Sequence, residues 1–118
     1  MVALMAKGAV LFVALLVSSS AACAGASNFT LVNGTTAQLG NLSIRRAGTQ
    51  DWKPLGAAPP AGARGPMKFE DPDCAFDIRA TVQGQGPVTW ADVNLCDVKS
   101  VTLKHDQSAG AWVDYDQK

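Results

Sequence analysis

From Phe76 to Val82 the side chains alternate without a break. Phe76, Ile78, Ala80 and Val82 are apolar; Asp77, Arg79 and Thr81 are polar. A period of two describes a half-buried strand, whereas a helix needs apolar residues three and four apart. No segment after residue 26 carries that helical spacing. The chain must therefore build its core from strands.

Shorter pieces repeat the pattern. Phe29 and Leu31 alternate with polar neighbours and lead to Asn33-Gly34, a strong hairpin-turn dipeptide. Leu42 and Ile44 alternate before Arg45-Arg46. Pro66 to Phe69 reads as a short strand, and Glu70-Asp71-Pro72-Asp73 as a turn. Gln83-Gly84-Gln85-Gly86 turns the Ala75–Val82 strand into Pro87–Leu95, which carries Val88 and Trp90. Val98, Val101 and Leu103 form another strand. Ala111, Val113 and Tyr115 form the last, after a turn over Asp106 to Gly110. Short strands with Gly-rich turns at these intervals predict an all-β domain: a single small antiparallel β-sandwich or a small barrel. Its expected core includes Phe29, Leu31, Leu42, Ile44, Phe76, Ile78, Trp90, Val101 and Leu103.

Ala47 to Gly65 breaks the rhythm. Gly48, Pro54, Gly56, Pro59, Pro60, Gly62 and Gly65 punctuate it too densely for a helix or strand interior. It reads as a long connection pinned to the core by Trp52 and Leu55, either a stiff surface crossover or a functional loop.

The start of the chain has a different character. Lys7 is its only charge, Ala9 to Val17 is an unbroken apolar run, and small residues follow from Ser18 to Ala26. This is the pattern of a cleaved signal peptide over residues 1–26, leaving a β-sandwich domain over residues 27–118. The run is too short for a membrane span, which needs about 20 apolar residues. Two cleavage sites fit the small-x-small rule, after Ala24 and after Ala26; the second directly precedes the first strand. A rival reading makes Cys23 the lipidated first residue of an anchored protein, although the Leu usual three places before it is missing. The expected location is periplasmic or secreted.

Cysteine parity agrees. Of the three cysteines, Cys23 leaves with the leader, and Cys74 and Cys96 remain as an even pair in an oxidising compartment. A hairpin centred on Gln85 makes Val82 face Val88, Ala80 face Trp90 and Cys74 face Cys96. It also turns Asp92 and Asn94 inward. A β-bulge near Ala91-Asp92 returns Val93 and Leu95 to the core and shifts Cys96 by one place, so the bond then forms where the strand ends. The alternative is two buried free thiols.

Charge excludes some functions. Without Lys7, nine of the ten basic residues stand against ten acidic ones, which gives no support for nucleic acid or an anionic membrane as partner. His105 is the only histidine and lies just before a turn. With no Cys-x-x-Cys, His pair or Gly-rich phosphate loop, the sequence supports no catalytic residue, no metal and no cofactor. Glu70, Asp71 and Asp73 lack the spacing of an EF-hand loop and read as a solvated turn. Asn28, Asn33 and Asn41 begin glycosylation sequons that a bacterial leader makes incidental. The candidate binding residues are Trp52 and Arg79: an Arg against an aromatic platform, Trp52 or Trp90, suits a carboxylate or a sugar. The competing reading pairs Arg79 with Asp77 along the strand and buries the tryptophans.

Phe29-x-Leu31-x-Asn33 with Thr35 or Thr36, Trp52, Cys74-Ala75-Phe76-Asp77-Ile78-Arg79 and Val93-Asn94-Leu95-Cys96 together resemble a family of small exported bacterial proteins, chiefly alphaproteobacterial, with no settled activity. The resemblance runs from Phe29 to Leu103 and implies a disulfide-linked β domain but no reaction. The resulting expectation is a non-enzymatic binding or structural module of the bacterial envelope, contacting an envelope protein or a surface glycan. The alternative is a small secreted hydrolase or inhibitor that uses the 47–65 loop.

Overall fold

In a computed structural model, residues 25–118 are described; residues 1–24, with most of the expected leader and Cys23, lie outside them. The described residues form eight strands and no helix. These are β1 (Phe29–Asn33), β2 (Leu39–Arg46), β3 (Lys53–Pro54), β4 (Arg64–Met67), β5 (Ala75–Val82), β6 (Gly86–Asn94), β7 (Val98–Asp106) and β8 (Gly110–Gln117). They make two four-stranded sheets in the orders β4-β1-β7-β8 and β3-β2-β5-β6. The fold is an all-β sandwich.

The alternation that defines β5 works as read: Phe76, Ile78, Ala80 and Val82 are all buried. Facing them from the other sheet are Leu31, Val101 and Leu103, none of them exposed. Every residue expected in the core is there. Removing side chains such as Phe76, Ile78 or Leu103 from water contributes about 1.5–3 kcal/mol each. Trp90 ties the layers with a polar bond as well, its indole N–H donating to the Lys104 carbonyl on β7 at 2.7 Å. At one end an edge-to-face chain runs from Phe29 through Phe69 to Phe76, with centroids 6.3 and 5.0 Å apart, and so links β1 to β5.

Two details of pairing differ from the sequence reading. β1 lies antiparallel to β4 but parallel to β7, so the sandwich is not wholly antiparallel. A parallel neighbour needs a long crossover, and the whole excursion through β2 to β6 provides it. The second difference is at Asn33-Gly34, which does not close a hairpin: β1 and β2 belong to different sheets. Asn33 is fully buried. Its amide donates to the carbonyls of Ala37 and Pro59, and its Oδ1 accepts from the Thr35 N–H and hydroxyl. The side chain therefore ties a corner between the layers. Gly34 is small because β7 is close: an added Cβ would lie 2.6 Å from the Thr102 methyl and 2.9 Å from the Leu103 carbonyl oxygen.

The β5–β6 hairpin is centred on Gly84 rather than Gln85. Val82 pairs with Gly86, Ala80 with Val88 and Ile78 with Trp90. Gly84 and Gly86 take φ of 85° and 95°, which suits glycine without strain. Beyond Trp90 the register shifts, and Phe76 pairs with Val93. The extra residue falls at Ala91-Asp92, where the bulge was expected, and Asp92 has φ 55°. Val93 and Leu95 return to the core, 0% and 1% exposed.

Candidate functional site

Cys74 and Cys96 lie just outside the ends of β5 and β6. The Leu95 N–H bonds to the Cys74 carbonyl, so Cys96 is one place past direct opposition, as the bulge requires. The two form a disulfide with Cα atoms 5.2 Å apart. That bond belongs to a non-reducing, extracytoplasmic environment. No helix among the described residues is long and apolar enough to cross a membrane.

Trp52 and Arg79 come together on the outer face of the β3-β2-β5-β6 sheet. The register explains how. β3 pairs with β2 through Ser43–Pro54 and Ile44–Lys53. One step further along the same register sets Trp52 beside Arg45. β5 pairs with β2 through Ser43–Arg79 and Arg45–Asp77, so Arg79 is the diagonal neighbour of Arg45. Both guanidinium groups lie over the indole, Arg79 with its central carbon 3.9 Å from the ring centroid and Arg45 at 4.4 Å. Contacts of this kind contribute about 0.5–1 kcal/mol when exposed and about 2 kcal/mol when desolvated. Leu55 does pin the Ala47–Gly65 segment to the core, as expected, although that segment also carries the short strand β3 and the start of β4. Trp52 instead lies across the outside of the sheet.

The carboxylate expected to serve Arg79 serves Arg45. Asp77 Oδ2 accepts from Arg45 Nε at 2.8 Å. Its Oδ1 accepts from the Asp92 N–H at 3.0 Å. Alternate residues of one strand stand about 6.6 Å apart, while opposed residues of neighbouring strands stand about 5 Å apart. The cross-strand partner wins for that reason. Asp77 is 5% exposed although it points away from the core, because Arg45 and the bulge close over it. Arg79 is outside such a pair: among the described residues no carboxylate lies within ion-pair distance of it. Its cross-strand neighbours are Ser43 on β2 and Thr89 on β6. The row thus presents a guanidinium held over an aromatic ring and flanked by two hydroxyl-bearing positions. Such a group recognises carboxylate or phosphate through its N–H edge. Trp90, the other platform considered, is 1% exposed and belongs to the core.

The acidic turn has an internal partner. Arg46 Nε reaches both oxygens of Asp71 at 3.1 Å and Asp73 at 3.2 Å. Partial burial pushes the Asp71 carboxyl up, but the Asp73 N–H and the Arg46 guanidinium outweigh it and hold the group below its usual range. Among the described residues no group of three or more His, Cys, Asp or Glu side chains is arranged to hold a metal ion. His105 sits near the end of β7, opposite Ala111 and in the other sheet from Arg79. Of the sequons, Asn33 has both amide protons committed inside the fold.

Arg45 and Asp77 are the residues that sequence reasoning missed as a pair. Their signal needed the β2–β5 register, which no local pattern carries. The fold and the site together define a small disulfide-linked β-sandwich with a cation–π stack on one outer face. Searches of family models, of curated proteins and of solved structures find no match to the chain.

Proposed function

We propose that this chain is an exported, non-enzymatic binding module of the bacterial envelope, acting in the periplasm or after secretion, and that it holds a carboxylate-bearing segment of a partner protein at Arg79. The carrying observation is the Arg79 guanidinium, 3.9 Å over Trp52 and outside ion-pair distance of any described carboxylate. Being stacked, it has already lost part of the side-chain freedom that binding would otherwise remove. The leader-like sequence and the disulfide support the compartment. A protein carboxylate is favoured over a sugar because guanidinium groups already cover the indole face on which a sugar would stack.

The test is a heteronuclear NMR titration with a hexaglutamate peptide at low salt. The Trp52 indole N–H and the Arg79 Nε–H should shift together and the shifts should fade as salt rises. Arg79→Ala should weaken binding about tenfold or more, since a hydrogen bond to a charged group contributes about 1.5–3 kcal/mol. Lys99→Ala, on the opposite sheet, should leave binding unchanged. Binding that survives Arg79→Ala intact, or that oligogalacturonate produces and hexaglutamate does not, refutes the assignment.

A further inference from the structure

Two positions in the leader satisfy the small-x-small rule, and they differ in what they leave on the domain. Cleavage after Ala26 removes Gly25 and Ala26; cleavage after Ala24 keeps both. In the structure these two residues are part of the fold. Ala26 is 3% exposed and belongs to the core cluster. It forms an isolated antiparallel bridge with Asp71. Its N–H donates to the Asp71 carbonyl at 2.7 Å and to the Asp73 carbonyl at 3.2 Å, and its own carbonyl accepts from the Asp71 N–H at 3.1 Å. Gly25 fits because it has no side chain: a Cβ there would overlap the Asp71 carbonyl oxygen and lie 2.8 Å from Pro72 Cα. The bridge fastens the 68–74 connection three residues before Cys74, on the residue whose carboxylate holds Arg46.

We infer that the leader is removed between Ala24 and Gly25, so that Gly25 becomes the amino terminus and Ala26 the first core residue. This rests on the export reading above. A peptidase that takes small residues adds water across the Ala24–Gly25 peptide bond. The C–N bond breaks, Ala24 leaves as a carboxylate and Gly25 keeps the nitrogen as a free amine. Cleavage after Ala26 would instead cut away a buried methyl group and three backbone hydrogen bonds.

The full-length chain, expressed in a bacterium with its own leader, is recovered from the extracytoplasmic fraction and its intact mass and first residues are read. A chain beginning at Gly25 supports the inference. A chain beginning at Ser27, or at a lipid-modified Cys23, overturns it while leaving export standing. An uncut cytoplasmic product overturns export itself and the inference with it. Ala22→Leu, which spoils only the upstream site, supplies a second reading. It should move the start to Ser27 or leave the leader attached. A Ser27 form should melt about 4–8 °C below the wild-type product, the shift that loss of a small set of buried contacts brings in a domain of this size. An unchanged melting temperature in that form overturns the structural argument.

Discussion

Replacing Asp77 should damage the fold more than replacing either arginine beside it. Asp77→Ala removes the acceptor of the Arg45 Nε bond and of the Asp92 N–H bond in one step. Breaking a fully buried ion pair costs about 3–5 kcal/mol, because the abandoned charge stays out of water. Here the Arg45 side chain keeps 21% of its exposure and recovers some hydration, and Asp92 is exposed enough for water to reach its N–H. The expected loss is therefore lower, about 2–3 kcal/mol. For a domain of this size that lowers the melting temperature by about 10–20 °C. Asp77→Asn keeps acceptor oxygen for the bulge and loses the charge, so it should cost about 1 kcal/mol.

Urea and thermal melts of the folded domain measure these differences, and a double-mutant cycle with Arg45→Ala isolates the pair. The coupling should be about 1–2 kcal/mol, since Arg45→Ala leaves a carboxylate that is itself 7% exposed. Amide exchange at Asp92 gives a local readout and should accelerate in Asp77→Ala before the rest of β6 does. A melting temperature within about 3 °C of the wild type, or additive single changes, would show that the bulge and the stack hold without this carboxylate.

Cys74→Ala should cost about 3 kcal/mol, from reopening a loop of 22-residue separation in the unfolded chain; peptide mapping without reductant should recover Cys74 joined to Cys96. Asp71 gives a pH signature. Its carboxyl lies lower in the folded than in the unfolded chain, so the stability it contributes is complete above the ordinary carboxylate range and is lost as pH falls below about 4. Melting scans from pH 6 downward should steepen in that window, and Asp71→Asn should flatten that part of the curve.

The sequence shows the pattern of this fold clearly where one residue's neighbours along the chain decide its fate. The β5 alternation, the bulge at Ala91-Asp92 and the burial of Trp90 all follow from which face must meet the core. It is silent where partners come from far along the chain. Asn33-Gly34 has the composition of a hairpin turn, yet Asn33 is claimed by the Pro59 carbonyl, 26 residues away, and becomes a corner. The parallel pairing of β1 with β7 has no local signature at all. The hairpin centre lies at Gly84, one residue before the middle that composition suggests, because Gly84 and Gly86 both tolerate positive φ and composition does not choose between them.

Trp52 and Arg79 were each legible as residues able to bind, one by its aromatic face and the other by its place on a polar strand face. What the chain order hid was the division of charge between two arginines. Because β2 lies between β3 and β5, Arg45 is set against Asp77 and ion-paired with it, while Arg79, opposite Ser43, has no carboxylate within ion-pair distance among the described residues. Trp52 holds both in place. β5 is an interior strand, paired on one side by β2 and on the other by β6, so the Arg79 backbone does not need to be ordered when a ligand arrives. A guanidinium that is charged, stacked and carried on an interior strand loses little entropy on meeting a carboxylate. On the proposed reading, that combination favours the outer sheet face at Arg79, to which the 47–65 segment contributes Trp52, as the place where this domain binds.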